Sequence, residues 1–559
     1  MSGIPLDVFA VYRSFLGDGF QLHKTVVMDN KKIIQFAGVV SGFTFLSRIL
    51  GMVRDVLMAG FFGTSMAFSG FVIAFMIPNL FRRLFGEGAL SAAFIPIFLE
   101  TRKSEGETAA WLLARRVISM VAVTLTAISL VGVAVTGILL RELEPDTMPY
   151  VIAMLLQIML PYMVFICLVA LCMAILNSFH HFAVPAAATS LLNVVWIFAL
   201  VVLCPILGDT MLEKIKVVAW AVLIAGILQL GMQIPMMRKH GYRVGFEIRL
   251  SDPKVKRVLF LMGPAALGLA VSQVNVVIDK SLAGWVGRWA PSCLFYSERL
   301  IYFPLGIFAT ALSTVLLPAF SGQAADLDSA RYRKTIGDSL RTLMFIMVPS
   351  AIGLFALAEP IIQMIFQWGE FTEESTRLTA MSLQAYAPGL IVFSMGKVFV
   401  PAFYGLQDTR TPVLVGVGAV GLNLVMNLLA IWLWPVGTQH AGLALSTVLS
   451  SMVAVLILAR LLDRRVGSPG WMPILRSLGR CLFLSLGMAV AAVVVQRKVY
   501  GVLEEAGVSL TWTEIIAVGV AIGVGAMLYV GASALLRVPE VHRVLQAVKR
   551  GRGEGPASD

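Results

Sequence analysis

Charge is what this chain has least of. Asp, Glu, Lys and Arg make up 14% of its 559 residues, where soluble domains run at roughly a quarter, and that shortage excludes a water-soluble globular enzyme. Cysteine is scarce as well. The five present (Cys167, Cys172, Cys204, Cys293 and Cys481) lie in or at the ends of apolar runs without metal-type spacing, and so read as small buried hydrophobes. Six scattered histidines argue equally against a metal centre. No nucleotide-binding glycine loop and no nucleophile–base pair can be found. Asp326-Leu-Asp328 mimics a D-x-D metal motif, but with no accompanying acids or histidines it reads as a solvated loop. The first thirty residues lack a clean hydrophobic stretch and an A-x-A-type cleavage site. Asp7, Arg13 and Asp18 interrupt them, so they read as a cytoplasmic extension and not a signal peptide.

What the chain does have is apolar sequence: 58% of residues, with a mean hydropathy of +0.85. Runs of about 20 apolar residues suffice to cross a bilayer. They fall near 34–62, 66–98, 111–140, 150–178, 184–207, 216–238, 256–286, 292–321, 335–357, 377–404, 411–434, 440–463, 474–496 and 512–537. The prediction is an all-α polytopic membrane protein of fourteen helices.

Lys and Arg are retained on the cytoplasmic side of a membrane. The connection after the sixth run holds Arg238, Lys239, Arg243, Arg249, Lys254, Lys256 and Arg257, and those after the second, eighth and twelfth are also basic. The odd-numbered connections are acidic or neutral, with Glu142, Glu144 and Asp146 after the third and Glu370, Glu373 and Glu374 after the ninth. Both termini are therefore expected in the cytoplasm. The net charge of +12 needs no nucleic acid, because a basic cytoplasmic face meets anionic lipid.

A repeat divides the molecule. Asp55-Val-Leu-Met-Ala59-Gly60 in the first run matches Asp279-Lys-Ser-Leu-Ala283-Gly284 in the seventh, and Pro96, Pro161 and Pro185 recur as Pro318, Pro388 and Pro412 at nearly the same offset. This predicts two parallel six-helix lobes related by an axis along the membrane normal, at 34–238 and 256–463. A basic cytoplasmic linker at 239–255 joins them. An N-terminal extension (1–33), two further helices (474–537) and a basic tail (538–559) complete the chain.

Within the second run, Arg82, Arg83 and Glu87 sit at membrane depth. An ionised group there costs about 3–15 kcal/mol unless it faces a wet interior, so this stretch reads as the wall of a polar cavity, with Pro78 loosening the backbone just before the charges. The first run adds Arg48, Arg54 and Asp55. The seventh adds Asp279 and Lys280, and the eighth Glu298 and Arg299. Arg48 and Asp55 share a helix face, and Arg83 and Glu87 are four apart and can pair. Arginines outnumber carboxylates in the first lobe, which predicts an anionic ligand. Arginine suits phosphate in particular, since its planar fork donates two parallel hydrogen bonds and stays charged.

The stretches Phe45-Leu-Ser-Arg48-Ile-Leu-Gly51-Met-Val-Arg54-Asp55 and Pro78-Asn79-Leu-Phe-Arg82-Arg83-Leu-Phe-Gly-Glu87 closely resemble the MurJ (MviN) lipid II flippases of the MOP exporter superfamily. Tyr296-Ser-Glu298-Arg299 and Phe403-Tyr404-Gly-Leu-Gln-Asp408 extend the resemblance, which runs from about residue 33 to 537. It implies a monomeric flippase of the bacterial inner membrane. Such a protein moves an undecaprenyl-pyrophosphate-linked disaccharide pentapeptide to the outer leaflet, alongside cell-wall synthesis or division complexes. By position, Arg54, Arg82 and Arg299 would clamp the pyrophosphate, with Arg48, Arg83, Asn79, Asp55, Glu87 and Glu298 as further cavity residues and the last two helices forming a groove for the lipid tail. Where many members carry Asp in a T-D-A-F-F-type run, this chain has Phe68-Ser69-Gly70-Phe71.

Asp279, Asn423, Asn427 and Thr447 bring oxygens from three helices together. They could hold a hard cation such as Na⁺, as in some members of the family, or simply hydrogen-bond the helices to one another. Two rival functions use the same sequence differently. Another exporter of the superfamily could carry a different polyprenyl-pyrophosphate-linked glycan or a cationic drug, although a drug exporter would want intramembrane acids in excess. A membrane enzyme acting on polyprenyl phosphate would need catalytic groups not found here.

Overall fold

A computed structural model describes residues 30–86, 89–249, 251–326 and 329–541. Glu87, Asp328 and most of the two predicted terminal extensions lie outside the described residues. Lipid offers the backbone no hydrogen-bond partner, so a chain this apolar satisfies its amides within helices, and no strand occurs among the described residues. The spans are α1 (Asn30–Phe62), α2 (Met66–Phe81, continuing through Arg82–Gly86 and Ala89–Glu105), α3 (Glu107–Glu142), α4 (Met148–Ser178), α5 (Ala183–Leu207), α6 (Met211–Lys239), α7 (Pro253–Val286), α8 (Ala290–Ala325), α9 (Ser329–Ala356), α10 (Glu373–Tyr386 and Gly389–Gly405), α11 (Arg410–Leu433), α12 (Gln439–Val466), α13 (Trp471–Glu505) and α14 (Leu510–Leu535).

Eleven of these are long and apolar enough to cross a membrane, and the two halves of α10, bent by 42°, make a twelfth. The other two are α1 and α7, the first helix of each lobe. At 33 and 34 residues they reach about 50 Å, ample for a bilayer, and they carry cavity charges. The set accords with fourteen spans. Helices α1–α6 and α7–α12 form the two lobes, and α13 packs along α14 and against α9. Ser477, Cys481, Ser485, Ala489 and Ala492 are buried on α13, a small-residue ridge of the kind that lets membrane helices approach closely.

The second helix of each lobe is broken in the same way. Arg82–Gly86 in α2 and Leu305–Ala309 in α8 are π-helical turns separated by 223 residues, in step with the repeat. In α2 the turn follows Pro78, where the sequence predicts a loosened backbone, and it carries both arginines of the pair.

The lobes meet at the end of the bundle where α1 turns into α2. Ser69 and Ser292, 223 residues apart and fully buried, are in hydroxyl–hydroxyl contact. The Trp368 indole N–H donates to the Val56 carbonyl (3.1 Å), the Glu370 amide donates to the Gly60 carbonyl (2.8 Å), and the Thr64 and Ser375 hydroxyls pair at 2.8 Å. Gly60 is required here because a Cβ would lie 2.2 Å from the Trp368 ring. At the opposite end the lobes are tied along α2 and α7 by Arg257–Glu100 (3.0 Å) and Lys254–Glu105 (2.5 Å). The linker is pinned by Arg116, which pairs with both Glu247 and Asp252. Burial disfavours the Asp252 charge, but the Lys254 amide and the Arg116 guanidinium outweigh it and hold the carboxyl below its ordinary range.

Candidate functional site

Between the lobes lies a cavity of about 1160 Å³. Helices α1, α2, α7 and α8 supply its charged wall, as the sequence predicts, apart from Lys397 on α10. Among its described lining residues are six cations (Arg54, Arg82, Arg83, Lys280, Arg299, Lys397) and three anions (Asp55, Asp279, Glu298), a surplus of three positive charges. The expected positive excess is there, although its pairing differs from expectation.

Asp55 does not pair with Arg48, seven residues away on the same face. One of its oxygens accepts from Arg54 Nε and Nη2 at 3.0 and 2.7 Å, and the other faces Arg299 Nε of the opposite lobe at 3.1 Å. Arg54 can fold back on its neighbour because its long side chain lies across the Trp196 ring (4.5 Å) while Nη1 donates to Asn193 Oδ1 at 2.9 Å. Arg48 instead lies beside Gly306 of α8, 3.4 Å from where a Cβ would stand. Arg82 Nε donates to Asn79 Oδ1 (2.8 Å), and Arg83 donates across the lobes to Gln273 (3.1 Å). The expected partner of Arg83, Glu87, lies outside the described residues. Arg299 is 42% exposed and stacks on Phe295 at 4.5 Å, so its guanidinium is held in place yet open to the cavity.

In the second lobe, Lys280 pairs with Glu298 at 2.7 Å, and the Tyr386 hydroxyl donates to the same oxygen. Beside them is the predicted oxygen cluster. Asn427 Nδ2 donates to Asp279 Oδ1 (2.6 Å), the Asn423 amide nitrogen, in the orientation that satisfies its neighbours, donates to the same oxygen (2.7 Å), Asn275 donates to Asp279 Oδ2 (3.2 Å), and Thr447 lies 3.4 Å from that oxygen. Asn427 Oδ1 is buried without a hydrogen-bond partner, while the amide nitrogens of Asn275 and Asn427 point at the Asp279 carboxylate. Asp55 and Asp279 occupy matching places in the repeat, and the guanidinium of Arg54 fills in the first lobe the role of counter-ion.

Asn193 and Lys397 are among the cavity residues that sequence reasoning passes over, with Asn275 and Tyr386. Asn193 and Lys397 each stand as a polar interruption in an apolar run, which is the signal that marks them. Lys280 is visible as a charge of α7, but nothing in the sequence gives it Glu298 as a partner.

Two six-helix lobes around a charged central cavity define a multi-pass membrane transporter and not a catalytic enzyme. The description "Lipid II flippase MurJ" belongs to the family whose profile matches residues 58–506. The lipid II flippase MurJ of Burkholderia cenocepacia is 36% identical over 452 residues, covering 78% of this chain and 85% of that one. A probable lipid II flippase MurJ of Vibrio cholerae is 35% identical over 444 residues, covering 77% and 83%. In fold, the chain is similar to a MurJ lipid II flippase solved in an inward closed conformation (TM-score 0.71, 24% identity, 89% of this chain and 98% of that one). It is also similar to an inward-facing multidrug resistance MATE transporter of the MOP superfamily (TM-score 0.62, 12% identity, 75% and 94%). The chain belongs to the MurJ lipid II flippase family.

Proposed function

We propose that this protein flips lipid II, the undecaprenyl-pyrophosphate-linked peptidoglycan precursor, from the inner to the outer leaflet of the bacterial inner membrane by alternating access. The observation that carries the reading is the arginine surplus facing a cavity between two lobes. Its supports are the family and the relatives named above. Arg82 and Arg299 approach from opposite lobes to clamp the pyrophosphate, and Arg54, oriented by Asp55 and Asn193, completes the clamp. Arg83 and Asn79 widen the polar wall, Arg48 stands at its edge beside Gly306, and Glu298 positions Lys280 against it. The polyprenyl tail stays in the bilayer, along a groove beside α13 and α14. By the distribution of Lys and Arg both termini are cytoplasmic, so the end closed by Ser69 and Ser292 faces outward, and cargo enters from the cytoplasmic leaflet when the Arg257–Glu100 and Lys254–Glu105 pairs at the other end part.

The test is replacement. A bacterium depleted of its own lipid II flippase is expected to grow when this chain is supplied and to lyse without it. Failure to restore growth despite good membrane levels would instead favour another polyprenyl-pyrophosphate-linked glycan as cargo.

A flippase needs a bias between its two states, and membrane potential, protons, Na⁺ or consumption of the product could supply it. The Asp279 cluster favours Na⁺, since one carboxylate with amide and hydroxyl oxygens suits a hard cation and Asn427 Oδ1 has no other partner. Asp279, Asn423, Asn427 and Thr447 would hold the ion. Na⁺ at a hundred times its dissociation constant should stabilise the purified protein by about 2.7 kcal/mol. Melting is therefore expected to shift upward in Na⁺ over K⁺ for the wild type and not for Asp279→Ala. Equal melting of the wild type in the two salts would show the cluster to be helix-to-helix bonding only.

A further inference from the structure

The linker between the lobes does more than connect them. Residues 242–249 are neither helix nor strand, yet they are pinned along the start of α3. The Tyr242 ring packs on Trp111 at 5.7 Å, Gly245 lies against Arg115, the Glu247 amide donates to Ser119 Oγ at 3.0 Å, and the Glu247 carboxylate accepts from Arg116. Val244, Phe246 and Ile248 alternate along this stretch and point away from the protein at 57%, 71% and 45% exposure.

Their depth can be read from α3. From Trp111 to Ser119 the linker descends eight residues of helix, about 12 Å toward the membrane. The exposed apolar side chains of α3 begin at Val123 and continue to Leu139, so Phe246 and Ile248, on either side of Glu247 at the level of Ser119, lie within about 10 Å of the start of the lipid-facing zone, and Val244, before Gly245 at the level of Arg115, about 12 Å or more from it. Arg243 and Arg249, both exposed, flank them. Apolar side chains at this level between two guanidiniums match the boundary between anionic headgroups and acyl chains.

We propose that residues 242–249 are an interfacial strap. Val244, Phe246 and Ile248 enter the cytoplasmic leaflet, while Arg243 and Arg249 engage the phosphates of anionic phospholipid. The choice of leaflet rests on the sidedness given under the proposed function. Because Arg116 holds the strap to the first lobe, the joint between the lobes is fastened to the leaflet from which cargo is drawn.

The full chain carrying Phe246→Cys can be labelled with NBD at that position, since the native cysteines are free but all buried. It is then reconstituted in vesicles of phosphatidylglycerol and phosphatidylcholine, with Ile128→Cys on the lipid face of α3 as the membrane reference. A nitroxide lipid labelled near its carbonyls is expected to quench the strap label about threefold more than aqueous iodide does, as for side chains lying at the acyl boundary. Replacing Arg243 or Arg249 by Gln should shift the strap's own equilibrium about fivefold each toward water, read as weaker nitroxide quenching of the Phe246→Cys label, in phosphatidylglycerol vesicles and little in pure phosphatidylcholine. Stronger quenching by iodide overturns the proposal and turns the strap into a docking edge for a soluble partner. Arginine variants without effect in phosphatidylglycerol overturn its anionic component. Transport is not the readout, so a chain that fails to restore growth leaves the strap standing, and an iodide-quenched strap leaves flipping standing.

Discussion

With Ser69→Cys and Ser292→Cys in one chain, flipping is expected to stop on oxidation and return on reduction. The two hydroxyls touch, are fully buried, and come from equivalent places in the two lobes, so cysteines there fall within the short Cβ separation a disulfide needs. If the lobes rock about the cavity, this end must part in every cycle, together with the Trp368–Val56, Glu370–Gly60 and Thr64–Ser375 bonds. One covalent bridge across it should therefore reduce transport to background. Cys293→Ala in the same chain removes the adjacent native thiol. Growth rescue in a flippase-depleted strain, or lipid II translocation in vesicles, reads the outcome against a gel assay of bridge formation. Undiminished flipping with the bridge formed would mean that this end need not open, and alternating access as proposed would fail.

The second large effect belongs to the clamp. Arg82→Ala and Arg299→Ala are each expected to abolish growth rescue at matched membrane levels, while melting stays close to wild type. A hydrogen bond to a charged group contributes about 1.5–3 kcal/mol, so losing one guanidinium from a pyrophosphate should weaken its capture by about ten- to a hundredfold. The stability side is small for Arg299, because a pair that is 42% exposed on one partner is worth at most about 1 kcal/mol. Arg299→Lys should recover little, since an ammonium cannot reproduce the two parallel donors. A folded Arg82→Ala or Arg299→Ala protein that still flips at the wild-type rate would show these arginines to be structural and nothing more.

Most of the architecture was legible because its signals are long. Runs of twenty or more apolar residues and a repeat of nearly constant offset both survive small errors at any one position. The wall of the cavity was legible for a related reason: Arg54, Arg82 and Asp279 are too costly at membrane depth to be incidental. Partnership was not legible. Helical spacing favours Arg48 for Asp55, but Arg299 reaches that carboxylate from another lobe, 244 residues on, and Arg54 reaches it from next door by lying over Trp196. Periodicity ranks residues on one helix. It says nothing of which helix faces it, nor of how a long side chain bends. Ser69 is a similar case: its sequence neighbourhood shows a departure from the T-D-A-F-F-type run, and only the fold shows its hydroxyl meeting that of Ser292.

The π turns of α2 and α8 carry the repeat from sequence into backbone. A π turn loosens the helix ladder for one turn and is found frequently at functional sites. Arg82–Gly86 and Leu305–Ala309 lie at the same place in the two lobes, whereas a third such turn, Ala199–Leu203 in α5, has no counterpart in α11. Charge does not follow the backbone: where α2 has Arg82 and Arg83, α8 has Leu305 and Gly306. The two lobes thus turn one backbone geometry toward the cavity with two different side-chain chemistries.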